Sequence, residues 1–208
     1  GKEAGARKTE IRGESRKGCQ GKGMRIIAGK ARSLPLKTPA GMDTRPTTDR
    51  IKETLFNMLM PELPGCVFLD LFAGSGQIGI EAVSRGSKKA YLVEREREAF
   101  SCITDNVKFA GMTEDTVLLK QDVYTALYDI HEKEVGILFA DPPYADGHYE
   151  KLLSVLKDRS YVTEDTLLVF EADLERDFGF VGNYGFFVEK EKCYKTNKHV
   201  FLRKDMVR

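Results

Sequence analysis

The chain has 208 residues but only four cysteines, three histidines and no tryptophan. Cys19, Cys66, Cys102 and Cys193 are widely scattered. No pair has metal-ligand spacing, and the histidines add no cluster, so no metal is expected. The reading is a reduced, cytoplasmic protein with incidental thiols. Long apolar runs are also missing. None approaches the ~20 residues of a membrane-spanning helix, and residues 1–23 lack the apolar core of a secretory signal. No internal repeat is visible. A strong charge of one sign is absent overall, since the net charge is +1.

That near-neutral total hides an uneven distribution. Residues 1–24 carry seven basic and three acidic side chains, a balance of +4. Residues 25–52 carry seven and two, a balance of +5. Residues 53–208 carry 19 and 27, a balance of −8. A basic front on an acidic body points to a polyanionic partner for the front.

Three stretches follow from composition. Residues 1–23 hold almost no large apolar side chains and read as a disordered basic tail, or as residues ahead of a native start at Met24. Residues 24–64 read as a small extension. Ile26, Ile27, Leu34 and Leu36 flank Gly29 as a hairpin or extended pair. Thr47 or Thr48 then caps a helix with Ile51, Leu55, Met58 and Leu59 on one face, ended by Pro61 and Pro64.

Residues 65–208 alternate strands and helices. Strands are expected at 66–71, 90–93, 116–119, 136–140 and 166–170. Helices are expected at 78–84, 96–110 and 149–157. An antiparallel pair at 184–189 and 199–202 closes the unit. The alternation predicts an α/β fold with a mostly parallel sheet and helices on both faces. His148 and Tyr149 fall at a helix start, while His131 and His199 are expected at the surface or a sheet edge.

Acids and glycines collect where the strands end, which is where ligands bind in such sheets. Asp70 closes the first strand, followed by Leu71-Phe72-Ala73-Gly74-Ser75-Gly76. Gly74 and Gly76 let backbone approach a ligand. Glu94 closes the second strand, placed to accept both hydroxyls of a ribose. Asp122, after the third, is placed to accept from an adenine amino group. Gly74, Gly76 and Gly79 also satisfy G-x-G-x-x-G, so a nicotinamide cofactor stays open at this point. Asp70 beside the loop would repel a pyrophosphate. It suits an ammonium group such as that of S-adenosyl-L-methionine.

The fourth strand ends in Asp141-Pro142-Pro143-Tyr144. An exocyclic base amine is a poor nucleophile because its lone pair is delocalised into the ring. Asp141 can accept one N–H and stabilise the positive charge that develops. The Pro142 carbonyl can accept the other, and the two prolines hold both acceptors in place beforehand. Tyr144 can stack on the base, a contact worth roughly 1–3 kcal/mol.

With these motifs in place, residues 24–203 resemble the bacterial small-subunit (16S) ribosomal RNA guanine-N2 methyltransferases of the RsmD type. The resemblance rests on Arg45-Pro46-Thr47-Thr48-Asp49-Arg50, Glu53-Thr54-Leu55-Phe56-Asn57, the 70–76 loop and the 141–144 loop. It implies a class I, Rossmann-like methyltransferase sheet of seven strands, with S-adenosyl-L-methionine as donor and a guanine of 16S ribosomal RNA as acceptor. It implies a monomer acting on that RNA or on the assembling small ribosomal subunit. Asp70, Phe72, Gly74, Gly76, Glu94 and Asp122 would contact the cofactor. Asp141, Pro142 and Tyr144 would hold the amine. Lys30, Arg32, Arg45 and Arg50 form the expected RNA-binding front. The chain departs from the family at Cys193-Tyr194-Lys195-Thr196, where a Tyr-Gly-x-Thr-like turn is usual. An amino-methyltransferase acting on adenine or cytosine of DNA or another RNA, and a nicotinamide-dependent oxidoreductase, are the competing readings.

Overall fold

The computed structural model describes residues 23–40, 48–144 and 147–206. The elements are α1 (Asp49–Leu59), β1 (Val67–Leu71), α2 (Gln77–Ser84), β2 (Lys89–Val93), α3 (Arg97–Phe109), β3 (Thr116–Leu119), α4 (Val123–Ala126), β4 (Ile137–Ala140), α5 (His148–Leu156), β5 (Leu167–Asp173), β6 (Phe186–Cys193) and β7 (Asn197–Lys204). The seven strands form one sheet in the order β3-β2-β1-β4-β5-β7-β6. The first five pair in parallel. β7 runs antiparallel between β5 and β6. This is the α/β, mostly parallel seven-stranded sheet expected from the sequence.

Alternating strand residues feed two cores. On one face Leu69, Leu138 and Leu168 pack with Tyr149, Leu152 and Leu156 of α5. On the other, Phe68, Phe139 and Val169 pack with Leu55 and Phe56 of α1, Ile80 of α2 and Ile103 of α3. Ile26 and Leu36 belong to this second core, so residues 24–36 share the core of the sheet. Burying a side chain of such size contributes roughly 1.5–3 kcal/mol.

The extended pair of the extension is minimal, one antiparallel bridge between Arg25 and Pro35. Its turn lies against the C-terminal end of α2. Gly29 has φ +85°, and a Cβ there would sit 1.8 Å from the Ser84 carbonyl oxygen, so only glycine fits. Thr48 caps α1 by accepting from the Ile51 N–H at 3.3 Å. The buried face of α1 is Lys52, Leu55, Phe56 and Leu59, whereas Ile51 and Met58 are only half-buried.

Lys52 is on that face because it has partners. Its ammonium lies 3.4 Å from Glu81 and donates to the Arg25 carbonyl. Glu81 also accepts from the Ile27 and Ala28 N–H groups and from Arg85 Nε. Burial pulls the Lys52 pKa down, against the pull of Glu81. The cluster clamps the extension to α2. At the other end of α2, Asn106 donates to the carbonyls of Lys37 and Ser75 at 3.0 and 2.9 Å. The extension thereby braces the glycine loop.

Candidate active site

β2, β1 and β4 are neighbours, so Asp70, Glu94 and Asp141 come together at their C-terminal ends. Asp70 is buried, and its Oδ2 accepts from the Gly79 N–H at 2.8 Å, tying the strand to the first turn of α2. The loop between them is bent by unusual backbone. Phe72 (φ 62°), Gly74 (φ 58°) and Gly76 (φ 81°) all adopt the left-handed region. Phe72 does so without the freedom of glycine, a strain that recurs at functional loops. Gly79 is required for a different reason. A Cβ there would lie 2.8 Å from Leu92 Cγ, so the third glycine of the G-x-G-x-x-G match is a helix–strand packing residue.

Glu94 is buried and fixed at both oxygens. Oε2 accepts from the Gly74 N–H at 3.0 Å and Oε1 from the Glu96 N–H at 2.8 Å. A carboxylate oxygen has two acceptor positions, so each retains one toward the crevice. Asp122 is exposed and is the N-cap of α4, a helix the hydrophobic pattern does not reveal. Its Oδ1 accepts from the Tyr124 N–H at 2.9 Å.

The 141–144 loop follows β4 directly. Pro142 is buried, whereas Asp141 is exposed at the end of the strand and Tyr144 is 48% exposed. Behind the loop stands an aromatic wall. His148, first residue of α5 as expected, meets the edge of Phe72 with ring centroids 5.6 Å apart. The Tyr124 hydroxyl lies 2.6 Å from His148 Nδ1, and the Lys151 ammonium sits 3.8 Å from the Tyr124 ring centre.

Crowding of acids sets the electrostatics. Burial, and secondarily Glu94, raise the Asp70 pKa to about 7 against the Gly79 hydrogen bond. Desolvation at the crevice wall, then Glu171 and Asp70, raise that of Asp141 to about 8. A site that disfavours its own negative charges this strongly suits a cationic ligand. Acceptors spaced along the strand ends suit one with ribose hydroxyls. The residues present therefore fit S-adenosyl-L-methionine.

One expectation changes. His199 is not at the surface or an edge that exposes it: it is fully buried. Its Nε2 lies 3.1 Å from Glu171 Oε2 and its Nδ1 3.1 Å from the Tyr194 hydroxyl, because β7 is an inner strand covered by β6. Glu171 is the acid that sequence reasoning missed. It ends the apolar run 167–170 just as Asp70, Glu94 and Asp141 end theirs, and that signal identifies it.

The basic front is only partly free. Lys30 is paired with Asp115 at 2.7 Å and Arg25 with Asp49 at 2.9 Å. Arg32 and Arg50 are exposed, and Arg45 lies outside the described residues. A pocket of about 440 Å³ is lined by Arg25, Arg32 and Arg85, with Ser33, Glu53 and Asn57. Arg85 Nη2 has no hydrogen-bond partner among the described residues. Arg25 and Arg85 thus join a cluster that charge counting alone did not complete.

Among the described residues, no helix is long and apolar enough to cross a membrane. Comparison with known proteins identifies relatives of the chain. The Bacillus subtilis protein YlbH is 39% identical over 154 residues, covering 73% of this chain and 84% of YlbH. Escherichia coli ribosomal RNA small subunit methyltransferase D is 34% identical over 73% of this chain and 76% of its own length. The solved structure of Escherichia coli yhhF superposes with a TM-score of 0.75 and 30% identity, covering 87% of this chain and 97% of that one. Residues 24–201 match the profile described as conserved hypothetical protein 95, and the chain accordingly belongs to that family, the family of the RsmD-type methyltransferases.

Proposed function

We propose that this protein transfers a methyl group from S-adenosyl-L-methionine to the exocyclic N2 amine of a guanine in 16S ribosomal RNA, during maturation of the small subunit. The observation that carries the reading is the placement of the 141–144 loop on the strand beside Asp70, with Glu94 one strand further on. The cofactor, when bound, supplies an electrophilic methyl carbon on a sulfonium. The chain does the rest. Glu94 holds the ribose and Asp70 faces the amino-acid end. Asp141 and the Pro142 carbonyl hold the two N–H groups of the amine, aiming its lone pair away from the ring. Tyr144 stacks on the base, which must leave its helix or come from a loop.

Labelled-methyl transfer to small subunits and to 16S RNA from a strain lacking the enzyme tests this. One modified guanine carrying N2-methyl is the expected product. Label on adenine, cytosine or DNA would overturn the assignment.

Cofactor binding should release protons near neutral pH. Free Asp70 holds its proton up to about pH 7. A cation beside it lowers that value, so at pH 7 roughly half a proton leaves on binding. Well above pH 7 the group is already ionised and the release vanishes. Calorimetry in two buffers of unlike ionisation heat measures it. Identical heats at pH 7 would remove this electrostatic account.

The arginine-lined pocket supports an RNA phosphate contact on the basic front, with Arg32 and Arg25 exposed at its rim. Deleting one cation that binds a phosphate lowers the salt slope of binding by about 1. Arg25→Ala with Arg32→Ala should thus flatten the slope by roughly 2 and weaken RNA binding, leaving cofactor affinity unchanged. Filter binding across a salt series reads both. An unaltered slope would place the RNA path elsewhere.

A further inference from the structure

The row of acids does not stop at Asp141. β4 pairs with β5 so that Ala140 stands opposite Phe170, which sets Asp141 and Glu171, the next residues, side by side. β5 pairs with β7 so that Glu171 stands opposite His199. Asp141, one residue past β4, is thus followed across the sheet by Glu171 of β5 and His199 of β7. His199 lies on the Phe139 face of the sheet, with ring centroids 5.9 Å apart.

Glu171 is buried, 7% exposed, and held on every side. Asn197 Nδ2 donates to its Oε1 at 2.8 Å, and His199 Nε2 lies 3.1 Å from its Oε2. Its backbone carbonyl accepts from the Tyr149 hydroxyl at 2.7 Å. The Tyr194 hydroxyl fixes the other ring nitrogen of His199. A buried carboxylate so firmly placed beside a second carboxylate needs a purpose. Its sheet position is explained by none of the contacts proposed for cofactor or base.

We propose that Glu171, clamped by His199 and Asn197, is a positioning residue that acts through Asp141: its fixed charge, one strand away, makes Asp141 a better acceptor for the proton that the target amine must lose. The proposal rests on the functional reading above. In the transfer the amine lone pair forms the new N–CH3 bond, and the S–CH3 bond breaks with its electron pair left on sulfur. The nitrogen then has one proton too many. Ionised Asp141 takes it and passes it to water, since its carboxyl opens on the crevice. A neighbouring negative charge raises the proton affinity of that carboxyl.

The other groups around Asp141 are accounted for. From β1 Asp70 adds to the same effect. From α5 Tyr149 faces it, and Tyr144 lies in its own loop. Arg176, over the Tyr149 ring, is engaged with Glu150. On β7 Lys198 is paired with Glu191 at 3.1 Å. Among the charges neighbouring Asp141, Glu171 is the leading contributor.

Two measurements test this. In the wild-type chain, carboxyl ¹³C NMR should show Asp141 titrating well above the ordinary carboxylate range. A single ordinary step would overturn the proposal, whatever the substrate. In single-turnover methyl transfer, Glu171→Gln should move the acid limb of the pH–rate profile down by roughly one unit. Glu171→Asp, which keeps the charge, should leave the limb in place. A merely structural role would lower the rate and melting temperature of both variants without moving the limb, and that result would also overturn it. A wild-type chain with the expected titration but no transfer to 16S RNA would instead count against the functional reading alone.

Discussion

Asp141→Ala is expected to lose methyl transfer by a factor on the order of 10²–10³ while binding the cofactor nearly as well as wild type. The expectation follows from position. In the proposed arrangement the cofactor rests on the ends of β1 and β2, whereas Asp141, just past β4, meets the amine. An electrostatic stabiliser of a charge that develops during reaction contributes little to ground-state binding. Stability provides the control. Desolvation first, then Glu171 and Asp70, push the Asp141 pKa up to about 8. A carboxyl whose folded pKa is raised costs the fold stability progressively as pH rises from its ordinary value, about 4, to the raised one, and the cost is complete above it. Removing it should therefore leave the melting temperature unchanged in acid and raise it in alkali. Loss of turnover together with a higher melting temperature above pH 8 cannot be unfolding. Turnover measured beside calorimetry with S-adenosylhomocysteine decides the matter, and near-wild-type turnover would end the assignment of Asp141.

Whether a residue of this site is visible in the sequence follows from the range of the interactions that place it. Short apolar runs bounded by acids and glycines announce β1, β2 and β4, and with them Asp70, Glu94 and the 141–144 loop, because burial on both faces of a parallel strand is a local composition effect. Interactions that close only across the sheet leave no such trace. His199 and Glu171 are 28 residues apart, and nothing near His199 distinguishes an inner antiparallel strand from an edge. Lys52 is a similar case. Charged residues are exposed by default, so its burial depends on Glu81 supplying a counter-charge from another helix. α4 is a single turn, too short to show a helical period. The glycine motif was legible but mixed in meaning, since Gly79 serves packing against Leu92 and Gly74 serves the bend of the loop.

Glu94→Ala should act first on affinity, in contrast to Asp141→Ala. Hydrogen bonds to a charged acceptor contribute about 1.5–3 kcal/mol, so loss of the ribose acceptor weakens cofactor binding roughly ten- to hundredfold. Glu94 has a second duty, because it also accepts from the Gly74 and Glu96 N–H groups. Its removal therefore loosens the glycine loop as well as the ribose contact, and a simple drop in affinity would not separate the two. Glu94→Gln keeps one acceptor oxygen and the side-chain volume, and its affinity should fall between those of wild type and Glu94→Ala. A double-mutant cycle completes the separation. An S-adenosylhomocysteine analogue lacking the 2′- or 3′-hydroxyl should bind wild type more weakly than the parent compound does. The same analogue should lose little further in Glu94→Ala, whose acceptor is already gone. Additive losses would mean that Glu94 only holds the loop and that the ribose is read elsewhere.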